Sequence, residues 1–424
     1  FNVGFLVRML FSCLIDADRI NSADFESPEN VHRRFRKADW NKAILRLESQ
    51  LQAFKDMPNK DPVTPIRERI SDDCLMRAND AQGLYSLTVA TGGGKTYASL
   101  RYALHHAKQH NLDRIIYIIP YTSIIEQNAE AIREVLERKQ DEFSWVLEHH
   151  SNLEPDKQTW HNKIASENWD SPIVLTTMVQ FLEVLFAGGT SRARRLHQLA
   201  NAVLIFDEIQ TLPVNTTHMF CNALNFLTDS CGTTALLCTA TQPLLNRLKC
   251  PDKGQLNLQL ENELIRDVSQ LFQDLKRVEV KNLCKPKGWS EQEVSDLAFK
   301  QFEDLGSCLI IVNTKDWAKK LYQALNGKVG EGAIFILSTN LCPAHRKIIF
   351  SKMKKRLKDE LPVLCISTQL IEAGVDVDFA SVIRFLAGLD SIAQAAGRCN
   401  RNGKRELSTV YVVNPDEEKI DLLH

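Results

Sequence analysis

The chain has 424 residues, and 44% of them are hydrophobic, enough for two or three domains with substantial cores. Its formal net charge of -1 excludes a uniformly basic surface, so any nucleic-acid contact must lie in a local groove. The cysteines form no CxxC pair or zinc-like spacing, and no apolar run is long enough to cross a membrane, so the composition points to a cytoplasmic protein with reduced thiols.

Residues 1–18 read as a helix, with Phe5, Leu6, Met9, Leu10, Cys13 and Leu14 as its apolar positions. The start at Phe1, inside that pattern, reads as a piece of a longer protein. Residues 19–60 read as a linker and a helix. The linker, to Asp39, is polar and contains Ser27-Pro28-Glu29-Asn30. Its cluster Arg33, Arg34, Arg36 and Lys37 is either a phosphate contact or a solvated face. Residues 41–57 predict an amphipathic helix with Ile44, Leu45, Leu47, Leu51 and Phe54 on one side.

A first α/β lobe is predicted over 61–250, with strands at 85–89, 114–119, 173–176, 203–206 and 234–238. Residues 251–290 are expected to connect it to a second α/β lobe over 291–424. The strands there are predicted at 308–312, 333–337, 363–366, 381–385 and 409–413. Strands alternating with helical patterns imply parallel sheets whose loops gather at the strand C-terminal ends. The expected fold is therefore α/β, with two tandem parallel-sheet lobes and an N-terminal helical segment.

The first lobe carries Ala90-Thr91-Gly92-Gly93-Gly94-Lys95-Thr96 between a strand and a helix. Glycine permits the turn, and backbone N–H groups there face phosphate oxygens. Lys95 suits the β- and γ-phosphates of ATP, and the Thr96 hydroxyl suits Mg2+. A strict phosphate loop has Gly where this chain has Val89. Asp207 and Glu208 end the apolar run Val203-Leu204-Ile205-Phe206. Asp207 is expected to hold Mg2+ and Glu208 to polarise the attacking water. The competing reading is an acid pair stabilised at a helix N-terminus. Thr239-Ala240-Thr241 ends the next strand, where hydroxyls can report nucleotide state.

In the second lobe, the segment from Ser367 to Asp376 supplies hydroxyls, Gly374 and an acid, Asp376, that could reach ribose. Gln394-Ala395-Ala396-Gly397-Arg398-Cys399-Asn400-Arg401 follows. Arg398 and Arg401, three apart, would share a face if helical. Two such forks suit a γ-phosphate in its transition state, with Gln394 beside them. The alternative is a surface ion-pair helix.

In order and spacing these segments resemble superfamily-two DExH helicases with RecA-like lobes, across nearly all of 61–414. Pro120-Tyr121-Thr122-Ser123 and Leu175-Thr176-Thr177 resemble the motifs that grip a nucleic-acid backbone. Ile311-Val312-Asn313-Thr314 and Leu337-Ser338-Thr339 resemble their second-lobe counterparts. That resemblance implies a track of Tyr121, Thr122 and Thr177 on one lobe and Thr339, Thr368 and Gln369 on the other. ATGGGKT, DEIQ and QAAGRCNRNG together resemble the CRISPR-associated helicase-nuclease (Cas-three) family of type I interference systems. Residues 10–18 resemble the last helix of that family's HD nuclease domain. The resemblance implies Mg2+-ATP, 3′ to 5′ movement on single-stranded DNA, and recruitment by an RNA-guided surveillance complex. It also implies a divalent transition metal in the nuclease domain, with Asp16 or Asp18 as the ligand this chain would offer. The family's histidine motifs and its C-terminal accessory domain are not found in this chain, so the fragment itself is not expected to cut DNA. A generic DExH RNA helicase, or an inactive motor used as a recruitment scaffold, remain the rival readings.

Overall fold

A computed structural model describes residues 1–28, 31, 38–58, 61–139, 141, 143–150, 166–330, 332–372 and 375–416. Gly374 and the basic cluster Arg33, Arg34, Arg36 and Lys37 lie outside the described residues. The chain divides into two compact units: most of it up to Leu271 forms the first, and Phe272 onward, together with residues 61–65 and Ala90–Gly92, the second. Each is built on a parallel sheet, as the alternating pattern predicts.

The strands of the first unit are β1 (Leu84–Thr88), β2 (Arg114–Ile119), β3 (Val146–His149), β4 (Ile173–Thr177), β5 (Ala202–Asp207) and β6 (Thr234–Thr239). They lie in the order β1-β6-β5-β2-β4-β3. The central strands are apolar on both faces because helices cover both: Ile115, Ile116, Ile118 and Ile119 are all fully buried. Register aligns the strand ends. Thr88 lies beside Thr239, Ile119 beside Thr177, and Asp207 beside Cys238. Every loop that carries a first-lobe motif therefore leaves the same edge.

The N-terminal helix runs from Asn2 to Glu26, past the expected end at Asp18. Its buried side holds Phe5, Met9, Ser12, Ile15 and Asp16, while Leu6, Leu10 and Leu14 of the expected apolar set are exposed. Phe5 packs edge-on against Phe226 at 5.1 Å, within the first unit's core. The next helix, Trp40–Lys55, buries Trp40, Ala43, Ile44 and Leu47. Leu45 points to solvent, because one residue turns a helix by about 100°.

The second unit has β7 (Val278–Asn282), β8 (Ser307–Ile311), β9 (Ile334–Leu337), β10 (Val363–Ser367), β11 (Ser381–Phe385) and β12 (Ser408–Val413), in the order β7-β12-β11-β8-β10-β9. Strand alternation divides its core in two. Cys308 and Ile310 join one cluster, Leu309 and Ile311 the other.

The segment expected to be a connector is absorbed into the two units. Glu263 pairs with Ser86 at the β1 edge, and β7 pairs with β12. β3 and β7 were not anticipated. Both are short edge strands that include polar residues, half-buried in β3 and exposed in β7, so neither shows as an apolar run.

Candidate active site

After β1 the chain reaches the glycine turn. Val89 continues the strand, its N–H donating to Thr239 O at 3.0 Å, which explains why a glycine is not required there. Gly92 and Gly94 have φ of +87° and +84°, a region that favours glycine. With Gly93 between them and Thr91 before them, they deliver the chain into the helix Lys95–Gln109. Gly94 is that helix's N-cap and makes no side-chain capping bond. The N–H groups of the first turn are thus left to an external acceptor, and the helix dipole favours an anion.

Lys95 lies inward. Its Nζ is 2.8 Å from Glu208 Oε1. Burial acts to lower the Lys95 pKa, but the charges of Glu208 and Asp207 more than offset it, and the ammonium is held above its usual range. Asp207, at the end of β5, is pushed up to about 6, chiefly by burial, with Lys95 opposing. Its Oδ1 is buried and has no hydrogen-bond partner among the described residues. The Thr96 hydroxyl makes one long bond, 3.4 Å to Asn128 Oδ1. An orphaned carboxylate oxygen with a weakly engaged threonine hydroxyl on the neighbouring helix fits Mg2+, which takes few protein ligands. Asn128 was missed by sequence reasoning. The one available signal was a lone amide on the buried side of the helix Thr122–Leu136.

Glu208 has φ of +51°, uncommon for a side chain of its size. The turn aims it back at Lys95. Gln210 Nε2 donates to Glu208 Oε2 at 2.6 Å, and Thr239 Oγ1 donates to Gln210 Oε1 at 2.5 Å. Thr241 N–H donates to Thr239 Oγ1 at 3.0 Å. Lys95, Glu208, Gln210, Thr239 and Thr241 therefore form one connected polar chain across the strand ends. An acid pair that only capped a helix would not reach the phosphate-loop lysine.

The expected track residues of the first unit share that edge. Tyr121, half exposed, is the N-cap of the helix that Thr122 begins. Thr177 ends β4 and caps its own helix, accepting from Gln180 N–H at 3.1 Å. In the second unit Thr339 follows β9 and Thr368 follows β10, with Leu337 and Ser367 in register. Thr339 and Gln369 are exposed, whereas Thr368 is buried, its N–H donating to Leu337 O at 3.1 Å.

Arg398 and Arg401 do not share a helix face. The helix Leu389–Ala396, which holds Gln394, ends before them. Cys399 instead forms a bridge with Phe379, and Asn400 turns the chain at φ of +48°. Arg398 is buried, its Nε and Nη2 donating to the carbonyls of Ile371 (2.9 Å) and Glu372 (2.5 Å). Arg401 Nε lies 2.7 Å from Asp376 Oδ1, so the expected ribose acid is engaged by an arginine. Arg401 Nη1 is buried and has no partner among the described residues.

Asp16, the expected metal ligand, is engaged by protein side chains. It is buried, with Arg194 Nε at 2.5 Å, Asn168 Nδ2 at 3.3 Å and His197 Nε2 at 3.4 Å. Burial works to raise its pKa, but the bonds from His197 and Arg194 outweigh it and hold the carboxyl below its usual range. Asp18 is exposed. Among the described residues no group of three or more His, Cys, Asp or Glu is placed to hold a metal ion. No helix among them is long and apolar enough to cross a membrane.

The model of the DEAD/DEAH box helicases matches residues 50–248, and that of the CRISPR-associated nuclease/helicase Cas3, C-terminal, matches 304–404. Together the two matches cover the phosphate loop, the acid pair and both arginines. The chain is similar to the Cas3 helicases. A CRISPR-associated nuclease/helicase Cas3 of Haloferax volcanii is 25% identical, over 88% of this chain and 50% of that protein. The chain thus spans about half the length of this Cas3 relative. The crystal structure of T. fusca Cas3 superposes with a TM-score of 0.64 at 18% identity, over 87% of this chain and 48% of that one. S. cerevisiae Dbp5 bound to RNA and ADP BeF3 gives 0.55 at 19% identity, over 87% of both chains. These likenesses establish two RecA-like lobes.

Proposed function

We propose that this chain is the ATP-driven motor of a Cas3-type effector, moving 3′ to 5′ along single-stranded DNA in the cytoplasm. Its longer parent would unwind and degrade invader DNA after recruitment by an RNA-guided surveillance complex. The observation that carries the reading is the polar chain from Lys95 through Glu208 and Gln210 to Thr239. It joins the phosphate loop to a strand-end turn, as a motor needs.

In this reading the Gly92–Gly94 backbone and the first-turn N–H groups receive the β- and γ-phosphates, and Lys95 neutralises them. Asp207 and Thr96 would hold Mg2+, which supplies further charge neutralisation on the phosphates. Glu208 orients water for in-line attack and accepts its proton. Gln210 holds the Glu208 carboxylate, so a change there is passed to Thr239 and Thr241. Arg401, with an unpartnered buried nitrogen, is the better candidate for stabilising transition-state charge. Arg398 is fixed by two carbonyls and sets the shape of its segment.

Tyr121, Thr122, Thr177, Thr339, Thr368 and Gln369 are the proposed backbone contacts. Such contacts read phosphate rather than base, so binding should fall steeply with salt and vary little with sequence. The likeness to an RNA-bound helicase is one of fold, whereas the matched sequence relative is a Cas3 protein; DNA is therefore the favoured track. A scaffold role gives no reason for a connected Lys95–Glu208–Gln210–Thr239 chain. ATP turnover measured without nucleic acid, with single-stranded DNA and with RNA tests all three readings. Stimulation by DNA above RNA is expected; equal stimulation favours a general RNA helicase, and no turnover favours the scaffold.

A further inference from the structure

Arg384 sits in the centre of the second sheet, in register with Ile311 on one side and Val412 on the other. Its side chain is 1% exposed, and that of its partner Glu372 is 5% exposed. A buried ion pair is poor value for stability, since apolar side chains of similar size usually do as well. Its position suggests another use. Arg384 Nε lies 2.7 Å from Glu372 Oε1, and Nη1 donates to Asn313 Oδ1 at 2.6 Å and to Phe385 O at 2.9 Å. Asn313 leaves the end of β8, and its own Nδ2 donates to Leu386 O at 3.0 Å. Gln369 Nε2 reaches Asn313 O at 3.4 Å. On the far side, the carbonyls of Ile371 and Glu372 are those that hold Arg398.

We propose that Arg384 and Glu372 are positioning residues that tie the strand-end loop of Asn313 and Gln369 to the segment that holds Arg398. Nucleic acid seated on that loop is thereby felt at the arginine motif. The guanidinium suits this, because its spread nitrogens face the Glu372 carboxylate and bond Asn313 at once, which the compact ammonium of a lysine does not. The inference rests on the proposed reading of the chain as a nucleic-acid-stimulated ATPase.

The test compares the parent chain with Arg384→Lys, Glu372→Gln and the double variant Arg384→Met/Glu372→Gln. The double variant removes both buried charges and guards against a single unpaired one. For each, thermal melting, ATP KM, DNA-free turnover and turnover with saturating single-stranded DNA are measured. Couplings between sites are typically 5- to 150-fold, so the ratio of stimulated to DNA-free turnover should fall by about fivefold or more. KM and DNA-free turnover should stay near the parent's. A merely structural role would lower melting and leave the ratio unchanged. Parent-like ratios in the folded variants overturn the positioning role alone. If the parent itself shows no stimulation, the motor reading fails and this inference fails with it.

Discussion

The Lys95 ammonium and the Glu208 carboxylate lie 2.8 Å apart, so the cation that a phosphate needs and the acid that a water needs are paired with each other. Nucleotide binding must draw Lys95 away and leave Glu208 to Gln210. The competition gives Glu208→Gln two opposite effects. Losing the competing acid should leave ATP affinity unchanged or raise it. Losing the base should lower turnover by roughly 10²- to 10⁴-fold. Lys95→Ala should instead lose affinity. Equilibrium binding of a fluorescent nucleotide alongside steady-state turnover checks both, and parent-like turnover in Glu208→Gln removes the assigned role.

Arg398 and Arg401 should respond differently to removal. Arg398→Ala strands two carbonyls that it now satisfies, each worth about 1–3 kcal/mol when left buried without a partner. Melting temperature should fall along with turnover. Arg401→Ala breaks one pair to the exposed Asp376 and should melt close to the parent. Its turnover should fall well beyond any change in affinity, as expected for a group used in the transition state. The combination of calorimetry and kinetics separates the two. Full activity in Arg401→Ala would leave Arg398 as the remaining candidate.

The motifs were legible because each joins an apolar strand to a short polar turn. Thr88, Asp207 and Thr239 all fall where a buried run ends, so their shared edge follows from parallel pairing. What sequence hid was the packing. Spacing put Arg398 and Arg401 on one helix face, but Gly397 and the left-handed Asn400 break the helix and turn one guanidinium inward. The period of the first helix was visible, but not which side would be buried. Asp16 read only as a candidate metal ligand because its partners Arg194 and His197 lie far along the chain. Arg384 lay inside an apolar strand and drew no notice, though a charge in the middle of such a run was the available clue.

Asp16 gives a prediction of its own. Its contacts join the N-terminal helix to the first unit, and Ser12 Oγ adds a contact of 2.9 Å to His197 Nδ1. Asp16→Asn should remove the buried one of Arg194's two carboxylate partners and leave it only the exposed Glu167, a loss of up to about 3–5 kcal/mol. The double variant Asp16→Asn/Arg194→Met should recover much of it. Divalent metal should not shift melting through this residue. A metal-dependent rise in melting temperature that Asp16→Asn abolishes would return the residue to the ligand role.

The last prediction concerns acid and the helix behind the phosphate loop. Arg101, on the phosphate-loop helix, donates from Nε to Glu48 Oε1 and from Nη2 to Glu48 Oε2, both at 2.7 Å. His105 Nε2 lies 3.1 Å from the same carboxylate. Burial acts to raise the Glu48 pKa, but the bonds from His105 and Arg101 prevail and hold it at about 2, below the ordinary 4.5. The folded chain therefore binds this proton more weakly than the unfolded chain does. The stabilisation is complete above about pH 4.5 and is lost as pH falls toward 2. Melting curves taken across that window should show the parent losing stability more steeply than Glu48→Gln, which starts lower at neutral pH. If the two profiles run parallel down to pH 2, Glu48 is not the group that fastens these helices, and the acid sensitivity must come from another carboxylate.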